Sequence, residues 1–212
     1  TWTEGYRTDS NGDPVMFTAA GVEDPAGDRI MYDTLYAYGG RSFSIWDAEG
    51  ALVWDSGDMV EQYLASDACL AGSQRDIPCA EFFNSNHSAG DSFLNRSDNK
   101  GPEPEAVTAA TFGDRTFAFL GLERMGGVMV FDITNPQSPS IVDYLNTREE
   151  WVLDPETNLA IVGDLGIEDI TVIPAEQSPT GDVLMLTGNE VSGTTTVYDV
   201  SFVESSEIIK KK

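Results

Sequence analysis

Positive charge is what this 212-residue chain has least of: 12 Lys and Arg stand against 36 Asp and Glu, a formal net charge of −24 at pH 7 with the single His neutral. A surface so negative repels phosphate backbones and anionic lipid heads, which excludes nucleic-acid binding through a basic patch. Long apolar runs are missing too. No stretch reaches the roughly 18 consecutive apolar residues of a membrane span, so no direct membrane insertion is expected. The opening TWTEGYRTDSNGD has neither a basic leader nor a hydrophobic core and reads as a mature or trimmed end. One His and two Cys cannot build a soft four-ligand zinc shell. CxxC pairs, a GxSxG elbow and a GxxxxGK phosphate loop are absent. His87, the only imidazole, falls in a Ser/Asn-rich segment and reads as a surface-loop residue rather than the base of a hydrolytic triad.

What is present points to β structure. Hydrophobic residues make up 41% of the chain and aromatics 10%, enough for one sizeable core. Helical periodicity is scarce, while short alternating or β-branched runs bounded by Gly, Pro, Asn and Asp recur. Two blocks resemble each other, one from Pro104 (PEAVTAATFGDRTFAFLGLERMGGVMVFDITNPQSPSIVDYL) and one from Ile167 (IEDITVIPAEQSPTGDVLMLTGNEVSGTTTVYDVSF). Glu105 aligns with Glu168, Glu123 with Glu190 and Asp132 with Asp199, the last two landmarks nine residues apart in both blocks. A weaker third block runs from Thr34 and carries Ile45, Trp46 and Asp47. Antiparallel modules that each close on aromatic–Asp predict an all-β fold of about three four-stranded propeller blades, part of a larger or multi-chain ring. Two hairpins of a β-sandwich are the alternative.

The expected organisation is an N-terminal segment over residues 1–33, a partial first blade over 34–57, an insertion loop over 58–103, a second blade over 104–150, and a third blade with a polar tail over 151–212. The insertion is too long for an ordinary blade connection and reads as a functional or capping excursion. It holds Cys69 and Cys79, ten apart in a Gly/Ser/Pro-bearing stretch. They read as a local disulfide in an oxidising compartment, with a pair of free thiols as the alternative. Two Asn-x-Ser sequons, at Asn86 and Asn95, permit N-glycosylation in a eukaryotic source.

Oxygen chemistry remains. Glu103, Glu105, Glu168 and Asp169 head the blade inner strands, and propeller geometry would gather such heads around one mouth of the channel. Converging carboxylates repel unless protonated or bridged by a cation, and Ca²⁺ accepts six to eight oxygens in flexible geometry. Glu123 and Glu190 recur before Gly-containing turns and form a second tier, with hydrogen bonding to turn amides as their structural alternative. Asp9, Asn11 and Asp13 offer oxygens at alternating positions, although Pro14 stands where a complete calcium loop has Gly, so a plain Asx-rich turn competes.

Taken together, SDNKGPEPEAV, FAFLGLERMGGVMVFDITNP, YLNTR, GDLGIEDI, GNEVSGTTTVYDV and LYAYGGRSFSIWD resemble the choice-of-anchor I family of extracellular proteins over about Leu35 to Val200. That family is similar to mesenchyme-specific cell-surface glycoproteins associated with biomineralisation and to alkaline phosphatase-like β-propellers. The resemblance implies a secreted or cell-surface propeller with Ca²⁺ as cofactor. This sequence reads GIEDI where the family more often has GPEGL.

The function expected is therefore a calcium-dependent binding or structural module, serving adhesion, matrix, filament or biomineral. Its partners would be divalent cations and other chains or domains completing the ring. The alternative is a metal-dependent phosphoesterase with Glu105, Glu168 and Asp169 as metal ligands and Arg124 and Lys100 as phosphate clamps. Recognition through Trp46 and Trp54 is a third reading, although their strand positions suit a core.

Overall fold

The computed structural model describes residues 6–31 and 40–201. The chain divides into two compact units, Thr1–Tyr38 and Gly39–Lys212. In the first, β1 (Met16–Phe17) pairs antiparallel with β2 (Arg29–Ile30). Gly27 packs so closely on the Phe17 backbone that a Cβ there would come within 2.4 Å of it.

The second unit begins with a hairpin of β3 (Ser44–Trp46) and β4 (Leu52–Asp55), followed by α1 (Met59–Leu64) and a small hairpin of β5 (Leu70–Ala71) and β6 (Ile77–Pro78). Cys69 and Cys79 flank that small hairpin and form the disulfide. Next comes a meander of β7 (Pro104–Phe112), β8 (Arg115–Leu122), β9 (Val128–Asp132) and β10 (Ser140–Leu145), paired in sequence order. A three-stranded sheet of β11 (Ile167–Ile173), β12 (Leu184–Asn189) and β13 (Thr194–Asp199) follows.

β8 explains how these layers stack. Its period-2 alternation sends Ala118, Leu120 and Leu122 to one face of the meander and Phe117 and Phe119 to the other. The first set packs against Val60 and Leu64 of α1, the Cys69–Cys79 disulfide, Met129, Phe131, Tyr144 and Trp151. The second meets Ile167, Ile170 and Met185 of the three-stranded sheet. A strand covered on both faces reads as an unbroken apolar run, as RTFAFLGL does.

The protein is all-β in its framework, and the meander has the four strands expected for residues 104–145. The 58–103 segment departs from the expected loop. It contributes a helix, a hairpin, a 3₁₀ turn at Cys79–Phe82 and a layer of the main core. The described residues make five separate antiparallel sheets and no closed barrel, so a propeller ring is not part of the observed architecture. Residues 34–39 of the weaker third block lie outside the described residues. Trp54 packs edge-on to Phe43 at 5.3 Å, as a core position predicts, whereas Trp46 stands 59% exposed.

Candidate functional site

The two larger sheets end in the same way. In the meander, Glu123 N–H donates to the Glu103 carbonyl (2.8 Å) and Arg124 N–H to Pro102 (3.1 Å). In the second sheet, Glu190 N–H donates to Gly166 (2.6 Å) and Val191 N–H to Leu165 (3.1 Å). Glu103 and Gly166 occupy the same place, and both are left-handed, with φ of 54° and 71°. Gly tolerates that conformation freely, while a Glu there costs about 1 kcal/mol or more. Two residues on, each first strand shifts register. The bulged residue is Glu105 between Pro104 and Ala106, and Glu168 between Ile167 and Asp169. A bulge re-aims a side chain beside the regular ladder.

This local geometry brings most of the nominated glutamates together. Ligand atoms of Glu103, Glu105 and Glu123 lie within 4.8 Å of one another, as do those of His87, Glu123 and Glu190. Glu168 is drawn into the same field. Its carboxyl is raised, first by partial desolvation and then by the charges of Glu190 and Glu105. Asp169 joins neither cluster. Asp9, Asn11 and Asp13 belong to the first unit and form a closed Asx turn. The Asp9 carboxylate accepts from the Asn11 and Asp13 amides (2.8 and 3.0 Å), and those amides hold its pKa below the ordinary value.

Glu103 and Glu123 are each 3% exposed, and their protonation is split. Burial raises Glu123 first, and the carboxylates of Glu103 and Glu105 raise it further, so it keeps its proton and donates to Glu103. Burial would raise Glu103 as well. The bonds from Glu123, Lys100 and Arg96 and the charge of Arg124 outweigh it and hold Glu103 ionised. Lys100 Nζ lies 2.8 Å and Arg124 Nε 3.2 Å from Glu103 Oε2, and Arg96 bonds its Oε1.

His87 corrects the surface-loop expectation. It is 4% exposed, with Nε2 2.9 Å from Glu123 Oε1 and in contact with Arg124 Nη1. Desolvation, then the Arg124 charge, push it down to about 4, so the ring is neutral. Nε2 thus faces both Glu123 and Arg124, while Nδ1 is buried without a hydrogen-bond partner among the described residues. The segment carrying it is clamped by Arg148, itself 0% exposed. Its guanidinium donates to the carbonyls of Asn86 (2.9 Å), Ala89 (3.2 Å) and Glu150 (3.2 Å) and lies 4.2 Å over the Trp151 ring. Sequence reasoning did not single out Arg148 or Arg96. Neither position carries a signal in the sequence, because both act in stretches without strand or helix periodicity.

Chemically, Glu103 is already neutralised by Arg96, Lys100 and Arg124, whereas Glu105, Glu168 and Glu190 are exposed above a protonated Glu123. These four supply hard oxygen donors of the kind calcium takes. Lys100 and Arg124, nominated as phosphate clamps, are engaged with Glu103 and Glu123. Among the described residues no helix is long and apolar enough to cross a membrane.

A protein of Magallana gigas, Gigasin-3a, is 28% identical to this chain over 177 residues, covering 80% of the chain. The chain spans 58% of that relative's length. No solved structure matches. The choice-of-anchor I domain model matches residues 11–136, a span that includes His87, Glu103, Glu105 and Glu123. With more than half of its length so matched, the chain belongs to the choice-of-anchor I domain family.

Proposed function

We propose that this chain is an extracellular or cell-surface acidic module that takes a divalent cation, calcium by preference, between its two larger sheets and serves as a calcium-dependent binding or structural element. One observation carries the reading. Each sheet offers one carboxylate from a β-bulge and one from the residue after its second strand, and these sets, Glu105 with Glu123 and Glu168 with Glu190, approach one another. These residues would hold the ion. Its chemistry would be charge neutralisation, tying together two sheets that also share an apolar core.

The disulfide, the net charge and the family membership support an extracellular setting. A phosphoesterase is the less supported reading, because the cations it needs are bound to Glu103 and Glu123 and those two carboxylates are buried. Completion of a larger assembly by further domains or chains belongs to the same proposal.

The test is thermal unfolding of chelator-treated protein with and without added Ca²⁺. At about 100-fold excess over Kd, linkage contributes about 2.7 kcal/mol, a rise of roughly 5–10 °C for a chain of this size. Glu105→Gln with Glu168→Gln should abolish that rise. A Tm indifferent to chelator and calcium would remove the cation from the proposal.

A further inference from the structure

The two sequons of the 84–103 segment share a motif but not a setting. At Asn86 the backbone is enclosed. Its N–H donates to Ser92 Oγ (3.0 Å), its carbonyl accepts from the buried Arg148, and its side-chain oxygen accepts from Ser88 N and Oγ (3.4 and 3.3 Å). The next residue is the buried His87.

Asn95 is different. It is exposed, and no described residue engages its side-chain amide. Its neighbours are fixed on both sides: Leu94 N–H donates to the Phe83 carbonyl (2.9 Å) and Arg96 N–H to the Asn84 carbonyl (2.9 Å). Leu94 is left-handed, with φ of 60°. Asn95 is therefore the crest of a turn whose two feet are bonded to one underlying strand of chain, a pedestal that presents its amide to solvent.

We infer that Asn95, and not Asn86, is an N-linked oligosaccharide acceptor of this protein in a eukaryotic secretory pathway. A glycan on Asn95 breaks no side-chain hydrogen bond among the described residues. One on Asn86 burdens the loop that Arg148 and Ser92 hold closed over His87. The inference rests on the extracellular reading above.

The full chain, directed into the secretory pathway of insect cells by a cleavable signal, is measured as intact mass before and after peptide:N-glycosidase treatment, in both the medium and the intracellular membrane fraction. One glycan is expected, lost in Asn95→Gln and kept in Asn86→Gln. Asn95→Gln suits the test because that side chain makes no bond among the described residues, whereas Ser97 accepts from Asn84 Nδ2 (3.1 Å). A glycan-free chain, or any glycan on Asn86, overturns the inference. A chain that carries the glycan on Asn95 but stays in the membrane fraction upholds it and counts against the extracellular reading instead.

Discussion

Glu103 and Glu123 are the same residue type, equally buried and hydrogen-bonded to each other, yet they carry opposite protonation states. In metal-free protein at pH 7, Glu103→Gln should cost about 3 kcal/mol in urea unfolding, because it leaves Arg96, Lys100 and Arg124 without their shared anion. Glu123→Gln should cost less than about 1 kcal/mol, since the proton is already there. Asp164 makes a second residue-scale case. Its carboxylate accepts from Thr147 (2.9 Å), Thr194 (2.6 Å), Thr196 (2.8 Å) and Tyr198 (3.2 Å). Desolvation raises its pKa, but these hydroxyls outweigh it and leave the carboxyl below its ordinary value. A depressed carboxyl contributes stability that is present above its unfolded pKa and lost as pH falls through the folded one. Asp164→Asn should therefore lower stability by about 2 kcal/mol at pH 7 and flatten its decline as pH falls below the ordinary aspartate range, read by denaturant titration at each pH.

At the scale of elements, the contact between the two larger sheets depends on a missing side chain. A Cβ on Gly121 of β8 would meet Ala106 Cβ and Ile167 Cγ2 at 3.1 Å and Ile170 Cδ1 at 3.3 Å. Gly121 is therefore where β8 allows β11 to approach, next to the bulges that carry Glu105 and Glu168. Gly121→Val overpacks that seam and should destabilise by about 2 kcal/mol, while Gly188→Ala, with nothing within 4 Å of its Cβ, should cost less. Paired Tm measurements of the two variants check this. If the bulges carry the cation, Gly121→Val should also weaken the calcium response, because the two carboxylate pairs are pushed apart.

For the whole molecule, a net charge of −24 means that folding concentrates repulsion. Raising NaCl from about 0.15 M to 1 M shortens the Debye length from roughly 8 Å to 3 Å, so Tm should rise with salt. The rise should be gradual and insensitive to Glu105→Gln with Glu168→Gln, unlike the saturable calcium effect. A Tm that falls with salt would show that the acidic surface is balanced locally by its few cations, as Glu103 is by three of them.

Alternation and turn chemistry are local properties, so the β framework, the four strands of the meander and the Cys69–Cys79 pairing were legible in the sequence. The landmark glutamates were legible too, because spacing from a strand end survives folding. The burial of His87, the clamp of Arg148 and the neutralisation of Glu103 were not. Each depends on the 58–103 segment packing as a layer on the meander, and no periodicity in a Ser/Asn-rich stretch announces that. The sequence by itself determined which residues alternate and where carboxylates recur. Only the tertiary structure decided which carboxylates are charged, because that depends on desolvation and on which cations the fold holds against each one.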